Sequence, residues 1–165
     1  MRILLAVSTF RDWEIEQLDV KTAYLEGDLS ETIFMRSPEG LETTKYVQLN
    51  KPLYGLKQSG KAWYEKLESK LICLGFKKSL SDECIYIHTE KQVIIGVYVD
   101  DLVICSSHLR NISAIKKELA VYFPIKDLGP IGTIIGWKIS RDRVNRKLKI
   151  SQCPYIYDKL VTVLK

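Results

Sequence analysis

Asp100 and Asp101 stand side by side in an otherwise apolar, β-branched stretch. Val93-Ile94-Ile95-Gly96-Val97-Tyr98-Val99 precedes them, and Leu102-Val103-Ile104-Cys105 follows. Both flanks read as strands. Adjacent carboxylates repel each other, and burial adds to the cost of keeping both ionised. A divalent cation is the natural counter-charge for such a pair, and hard oxygen ligands suit Mg²⁺. Taken alone, the pair is equally well explained as a hairpin turn that uses two aspartates. A third carboxylate, Asp19, lies near the end of another strand-like run.

The elements that must position these groups follow from hydrophobic period and turn residues. A helix is expected over Arg2–Phe10. Residues 13–20 read as a strand with Ile15 and Asp19 on one face and Leu18 and Val20 on the other. Turns near Gly27 and Pro38-Glu39-Gly40 surround a short strand at 33–35, and another short strand covers 46–49. Ser59 is a candidate cap for a helix with Trp63, Leu67, Leu71 and Leu74 in one stripe, ended by Gly75. Strands at Ile85–His88 and 93–99 flank a polar turn. The Asp100-Asp101 turn leads into a strand at 102–105. A second amphipathic helix carries Ile112, Ile115, Leu119 and Tyr122 or Phe123. A strand at 133–140, a polar turn at 141–146 and a returning strand at 148–151 come next. Pro154 suits the first position of a terminal helix reaching Leu164. With the small elements set aside, the order is strand, helix, strand, strand, helix, strand. That is the split βαβ arrangement of an α+β domain, an antiparallel sheet with helices packed on one face. The topology brings Asp19 toward Asp100 and Asp101.

A chain of 165 residues with 46% hydrophobic and 27% charged side chains has enough apolar surface for one folded domain and is not disordered. Its apolar runs are too short to cross a bilayer, so no membrane partner is expected. The run Met1-Arg2-Ile3-Leu4-Leu5-Ala6-Val7 lacks a small-residue cleavage site and reads as part of the fold. Cys73, Cys84, Cys105 and Cys153 are scattered without zinc-type spacing, and no disulfide partner is expected. Charge is uneven. Residues 1–50 carry five basic and nine acidic side chains, net −4. Residues 51–78 and 126–149 each carry seven basic and two acidic, net +5. An acidic centre between basic blocks suits a polyanion held across a metal site, although solvated helix and hairpin faces give the same totals.

Four separated blocks narrow the reading. The first is Gln17-Leu18-Asp19-Val20-Lys21-Thr22-Ala23-Tyr24-Leu25-Glu26-Gly27-Asp28-Leu29. The second is Leu53-Tyr54-Gly55-Leu56-Lys57-Gln58-Ser59 with Ala62-Trp63-Tyr64. The third is Tyr98-Val99-Asp100-Asp101. The fourth is Lys126-Asp127-Leu128-Gly129 with Ile134-Ile135-Gly136-Trp137-Lys138-Ile139, then Ser151-Gln152 and Tyr155-Ile156. Together, in this order and over nearly all of residues 1–165, they resemble the reverse transcriptase domain of copia-type (pseudovirus) LTR retrotransposon Pol polyproteins.

The resemblance implies a polymerase palm with the start of a thumb, acting as an RNA-directed DNA polymerase. Its substrates would be an RNA template, a DNA primer and a dNTP. Nucleotide addition is an in-line phosphoryl transfer, and two Mg²⁺ ions, which Mn²⁺ can replace, clamp the attacking and leaving oxygens. Asp19 and Asp100 would bridge both ions, with Asp101 as the third carboxylate and the Val20 carbonyl on the nucleotide side. Tyr24 would lie under the incoming sugar and exclude a 2′-hydroxyl. Tyr54 and Gly55 would line the nucleotide pocket, Gly55 by close backbone approach or simply as a turn glycine. Tyr98, Lys57, Lys61, Gly136 and Trp137 would face template and primer, the last two in a hairpin gripping the primer end. The basic side chains read equally as solvated lysines, and the hairpin equally as core. Lys126 is a candidate general acid for pyrophosphate release. The family usually has proline where Gly60 stands and arginine where Lys61 stands, which loosens any detailed claim about template contacts.

The resemblance also sets expectations about what lies outside these residues. A fingers hairpin with basic residues is expected upstream, and ribonuclease H and integrase segments belong to a full-length element. The expectation is therefore a partial domain, with weak or no activity alone. Family resemblance places the action in cytoplasmic virus-like particles. A non-catalytic remnant that still binds nucleic acid shares every motif with the polymerase. An RNA-recognition sheet fits poorly, because the central strands carry Val, Ile and Asp-Asp instead of exposed aromatics.

Overall fold

The computed structural model describes residues 1–40 and 45–163. Helix α1 (Arg2–Phe10) leads into β1 (Glu14–Val20) and the single turn α2 (Ala23–Glu26). A two-stranded ribbon of β2 (Phe34–Arg36) and β3 (Tyr46–Gln48) precedes α3 (Ser59–Cys73). Then come β4 (Lys77–Lys78), β5 (Ile85–His88), β6 (Val93–Tyr98), β7 (Asp101–Ser106) and α4 (Leu109–Ala120). The chain continues through β8 (Ile125–Pro130), β9 (Thr133–Ile134), β10 (Trp137–Asp142) and β11 (Lys147–Ser151). It ends in α5 (Cys153–Ile156), which runs on as a π-helical turn at Tyr157–Val161.

The main sheet has six strands in the order β4-β5-β6-β7-β1-β8, and every neighbouring pair is antiparallel. Four adjacent strands, β6-β7-β1-β8, read through the connections β1-α3-β6-β7-α4-β8, have the split βαβ order. Three of the four expected strands, β1, β6 and β7, pair as the split βαβ order requires, but the fourth is β8 and not the strand expected at 133–140, which lies in a separate small sheet; β4 and β5 widen the main sheet. The two helices of that order share one face as expected, and the departure is α1, which packs on the other. Helices α3 and α4 cover one face, where Trp63, Leu67, Ile112 and Ile115 meet Leu18, Leu102 and Ile104. Helix α1 covers the other, where Leu4 and Leu5 join Ile15, Val103, Cys105, Ile134 and Ile139. The reason is in β7. Residues 102–105 are apolar at every position, so alternation points hydrophobic side chains to both sides and both sides must be covered.

Other differences have local causes. Strand β8 carries little strand signal, since Lys126, Asp127, Gly129 and Pro130 are poor strand formers, yet an edge strand tolerates glycine and proline. The single strand expected at 133–140 is a hairpin, β9 and β10, turning at Ile135 (φ +52°) and Gly136 (φ +72°). Positive φ at both loop residues is the hairpin geometry that matches strand twist. Ser59 does not cap α3. Gln58 occupies the N-cap, and the Ser59 hydroxyl donates to the Leu53 carbonyl at 2.6 Å. Helix α5 begins at Cys153, one residue before Pro154. Leu164 lies outside the described residues.

Buried Lys116 on α4 ties the two central edges together by pairing with Glu16 of β1 and Asp127 of β8. The Lys116 hydrogen bond holds the Asp127 carboxyl below its ordinary value of 3.8, helped by the Gly129 N–H and opposed by burial. A depressed folded value contributes stability that is complete above the unfolded value and lost as pH falls through the folded one. The melting temperature should therefore drop as pH falls below 3.8, and Lys116→Met should flatten that drop. An equally steep acid transition in the variant, followed by thermal denaturation, would contradict the pairing.

Candidate functional site

Alternation along β1 puts Ile15, Gln17 and Asp19 on the face that also carries α1. Ile15 is covered by that helix, while Asp19 reaches the uncovered end of the strand. The ladders set its neighbours. Asp19 is registered opposite Asp101 on β7 and opposite Lys126 on β8, and Asp101 is opposite Tyr98 on β6. Directly opposite residues project to the same face. One row, Tyr98–Asp101–Asp19–Lys126, thus crosses β6, β7, β1 and the edge strand β8. It joins a phenol, two carboxylates and an ammonium drawn from three of the four sequence blocks.

Asp100 lies in the tight turn between β6 and β7. The loop residues are Val99 and Asp100, since Tyr98 and Asp101 already pair across the ladder. Asp101 is therefore the first residue of its strand and not a turn residue. Val99 has φ +55°, a left-handed value that a β-branched residue rarely adopts. Two bonds hold this turn. The Trp63 indole N–H donates to the Val99 carbonyl at 2.7 Å, and the Val20 N–H donates to the Asp100 carbonyl at 2.8 Å.

The electrostatics reflect three neighbouring acids. Asp19 and Asp100 form no side-chain hydrogen bond or ion pair among the described residues. Asp101 accepts from the buried Gln17 side-chain amide at 2.8 Å. Burial pushes the Asp101 carboxyl up, the Gln17 bond pulls it down, and the charges of Asp100 and Asp19 add to the rise. Among the described residues, no three His, Cys, Asp or Glu side chains are gathered closely enough to hold a metal ion. The carboxylates share a neighbourhood without forming a closed cage. Gln17 was not singled out from sequence, although its place two residues before Asp19 puts it on the same face.

Tyr24 and Tyr54 meet beside this row, with ring centroids 4.3 Å apart and planes at 37°. The Tyr54 phenol is pushed up by burial and then by Asp100, Tyr24 and Asp19, which places the pair in the carboxylates' field. Gly27 presses α2 onto α3. A Cβ there would lie 3.0 Å from the Trp63 nitrogen and 3.1 Å from the Ala62 carbonyl carbon. Those are helix backbone atoms and cannot swing aside. Gly27→Ala should cost about 1–3 kcal/mol and loosen the Tyr24–Tyr54 contact; chemical denaturation checks the first effect and tyrosine fluorescence the second.

The other predicted residues are placed as follows. Gly55 has φ +98° with open space where a side chain would start, so its backbone conformation, and not a protein neighbour, requires glycine. Lys57 and Lys61 are exposed, and Lys61 pairs with Glu65 at 3.7 Å on the first turns of α3. No contact joins either lysine to the carboxylates among the described residues. Gly136 is exposed at the β9–β10 turn, while Trp137 is partly buried against the α1-side core. That small sheet is fastened to the start of β1 by Arg141 and Arg143, which bond Asp12, the Trp13 carbonyl and Glu14. Lys126 is exposed, without a hydrogen bond or ion pair among the described residues.

An α+β fold built on an antiparallel sheet, with acidic residues at the open end of its central strands, is compatible with a nucleic-acid polymerase domain. Comparison with known proteins identifies the family. The model of the family described as "Reverse transcriptase (RNA-dependent DNA polymerase)" matches residues 1–163, and the chain belongs to that family. It is 43% identical over 163 residues to the retrovirus-related Pol polyprotein from transposon TNT 1-94 of Nicotiana tabacum, covering 94% of this chain and 12% of that protein. It is 36% and 35% identical to the Pol polyproteins from transposons RE1 and RE2 of Arabidopsis thaliana, covering 97% of this chain and 11% of each. The chain thus spans about one-ninth of the length of these relatives.

Proposed function

We propose that these residues form the palm of a copia-type reverse transcriptase domain, extending a DNA primer on an RNA template by two-metal nucleotidyl transfer. The observation that carries this reading is the ladder register that sets Asp19 opposite Asp101, with Asp100 in the adjoining turn. The donor chemistry fits Mg²⁺ or Mn²⁺: hard carboxylate oxygens, no lysine or arginine already paired with them among the described residues, and mutual repulsion that a cation relieves. Asp19, Asp100 and Asp101 would hold the ions together with the Val20 carbonyl. When bound, such ions neutralise charge developing on the transferred phosphoryl group and orient the attacking and leaving oxygens.

The protein's own side chains supply the rest. Gln17 fixes one oxygen of Asp101. Tyr24, braced by Tyr54, closes the space where a ribose 2′-hydroxyl would sit. Gly55 leaves room for a base or sugar at the pocket wall. Lys126, opposite Asp19 on the neighbouring strand and without an ion pair among the described residues, would give a proton to departing pyrophosphate. Tyr98, Lys57, Lys61, Gly136 and Trp137 would be the residues that face template and primer. By relationship to Pol polyproteins, ribonuclease H and integrase segments are the expected covalent partners, and cytoplasmic virus-like particles the expected setting.

Primer extension on poly(rA)·oligo(dT) with Mg²⁺ or Mn²⁺ tests the proposal. Template-directed dTMP addition that Asp19→Asn abolishes supports it. Addition that survives Asp19→Asn contradicts the assigned carboxylates. Tight template–primer binding without extension is the result expected of a partial domain alone, and it identifies a non-catalytic remnant only if a longer chain that includes the expected upstream fingers segment also fails to extend the primer.

A further inference from the structure

We propose that Trp63 is the positioning residue of the carboxylate turn: its indole N–H, presented by α3, holds the Val99 carbonyl and so fixes where Asp100 stands relative to Asp101 and Asp19. The inference rests on the reading of those two aspartates given above. It concerns a residue of the core, 2% exposed, that acts through the backbone of the turn.

Four observations lead to it. The Trp63 Nε1–H to Val99 carbonyl bond is 2.7 Å and joins residues 36 apart in sequence. The ring that makes it is 2% exposed and lies edge-on to Phe123, with centroids 5.2 Å apart and planes at 78°. Core packing thus dictates the direction of the N–H. The residue it holds is the strained one, Val99 at φ +55°, a position where hairpins of this sign pattern prefer glycine. The second loop carbonyl, that of Asp100, is bonded from the opposite side by the Val20 N–H. The two loop carbonyls are therefore tied to two different elements, α3 and β1.

The physical consequence is specific. A β-branched residue leaves positive φ when nothing holds it there. If Val99 relaxes, the peptide that follows rotates, and Asp100 rotates with it. Strand β7, anchored by its ladder to β1, keeps Asp101 in register. Separation of Asp100 from Asp101 and Asp19 would follow. An ordinary core role for Trp63 gives a different expectation: lower stability, an unchanged turn and no dependence on what residue 99 is.

The test uses the 165-residue chain with Trp63→Phe, which removes the donor and keeps an aromatic ring. NMR relaxation dispersion in metal-free buffer reads the turn, and electron paramagnetic resonance reads Mn²⁺ affinity. The expected result is millisecond exchange confined to the amides of residues 99–101 and Mn²⁺ binding weakened about 10–100-fold. Adding Val99→Gly removes the strain that the indole restrains and should recover most of the lost affinity. Unchanged turn amides, unchanged Mn²⁺ affinity, or a loss that Val99→Gly does not recover would overturn the proposal. Should Trp63→Phe fail to fold, 3-benzothienylalanine at position 63 deletes only the N–H, and the same readings decide. Asp100→Asn serves as the reference. If it binds Mn²⁺ as wild type does, the metal reading has failed, while the turn amides still decide the part played by Trp63.

Discussion

Asp100→Asn is expected to weaken Mn²⁺ binding at least about 100-fold while making the metal-free protein more stable. The first half follows from removing a charged hard-oxygen ligand: losing even an outer partner of a metal site costs about 10–100-fold, and a direct ligand costs more. The second half follows from the environment. Asp100 has no compensating ion pair among the described residues, and its charge raises the proton affinity of Asp101 and Tyr54. An amide in its place keeps the shape and removes the repulsion. Each kcal/mol so released raises the melting temperature by about 2–4 °C in a domain of this size. Calorimetric titration with Mn²⁺ and scanning calorimetry without it read the two effects. A variant that loses both affinity and stability would show Asp100 to be a structural residue. Unchanged affinity would remove it from the metal site.

Tyr24→Ala is expected to relax sugar selection by on the order of 100-fold, the scale on which a shaped pocket rejects a slightly larger group. Tyr24 is held by its contact with Tyr54 at 4.3 Å and by its seat on α2, which Gly27 presses against α3. A ring fixed from two sides excludes by shape, because moving it costs packing. The measurement is the ratio of kcat/KM for dTTP and UTP in primer extension. The variant should gain on UTP far more than it loses on dTTP. Equal losses on both would mean that Tyr24 only supports the pocket. Tyr54→Ala should shift the same ratio in the same direction but less, since it removes the brace and leaves the ring.

Much of this was legible because local pattern and topology agree. The order β1-α3-β6-β7-α4 follows from the spacing of two amphipathic stripes and three strand-like runs, and the antiparallel β1–β7 pairing follows from it. What escaped was encoded in exceptions. Strand β8 is written in edge-strand residues that look like loop, so the registration of Lys126 opposite Asp19 was invisible. The turn of the aspartate hairpin falls one residue earlier than Asp100-Asp101 suggests. Val99, a poor turn residue on propensity, is forced into it by bonds from Trp63 and Val20 that no local window contains. Ser59 has the chemistry of a helix cap, but its hydroxyl is drawn to the Leu53 carbonyl instead. Gln17 is apparent only once strand alternation is combined with the cross-strand position of Asp101. These misses cluster around the candidate site, where long-range bonds override local preference.

The most direct test of the whole account is where Mn²⁺ binds on the chain. Paramagnetic broadening of backbone amides at low Mn²⁺ stoichiometry maps the ion without requiring turnover. The prediction is simultaneous loss of the signals of Asp19, Asp100, Asp101 and Lys126, reversed by excess Mg²⁺. Broadening centred instead on the acidic cleft lined by Asp28, Glu31 and Glu65, with the Asp19–Asp101 row untouched, would contradict it.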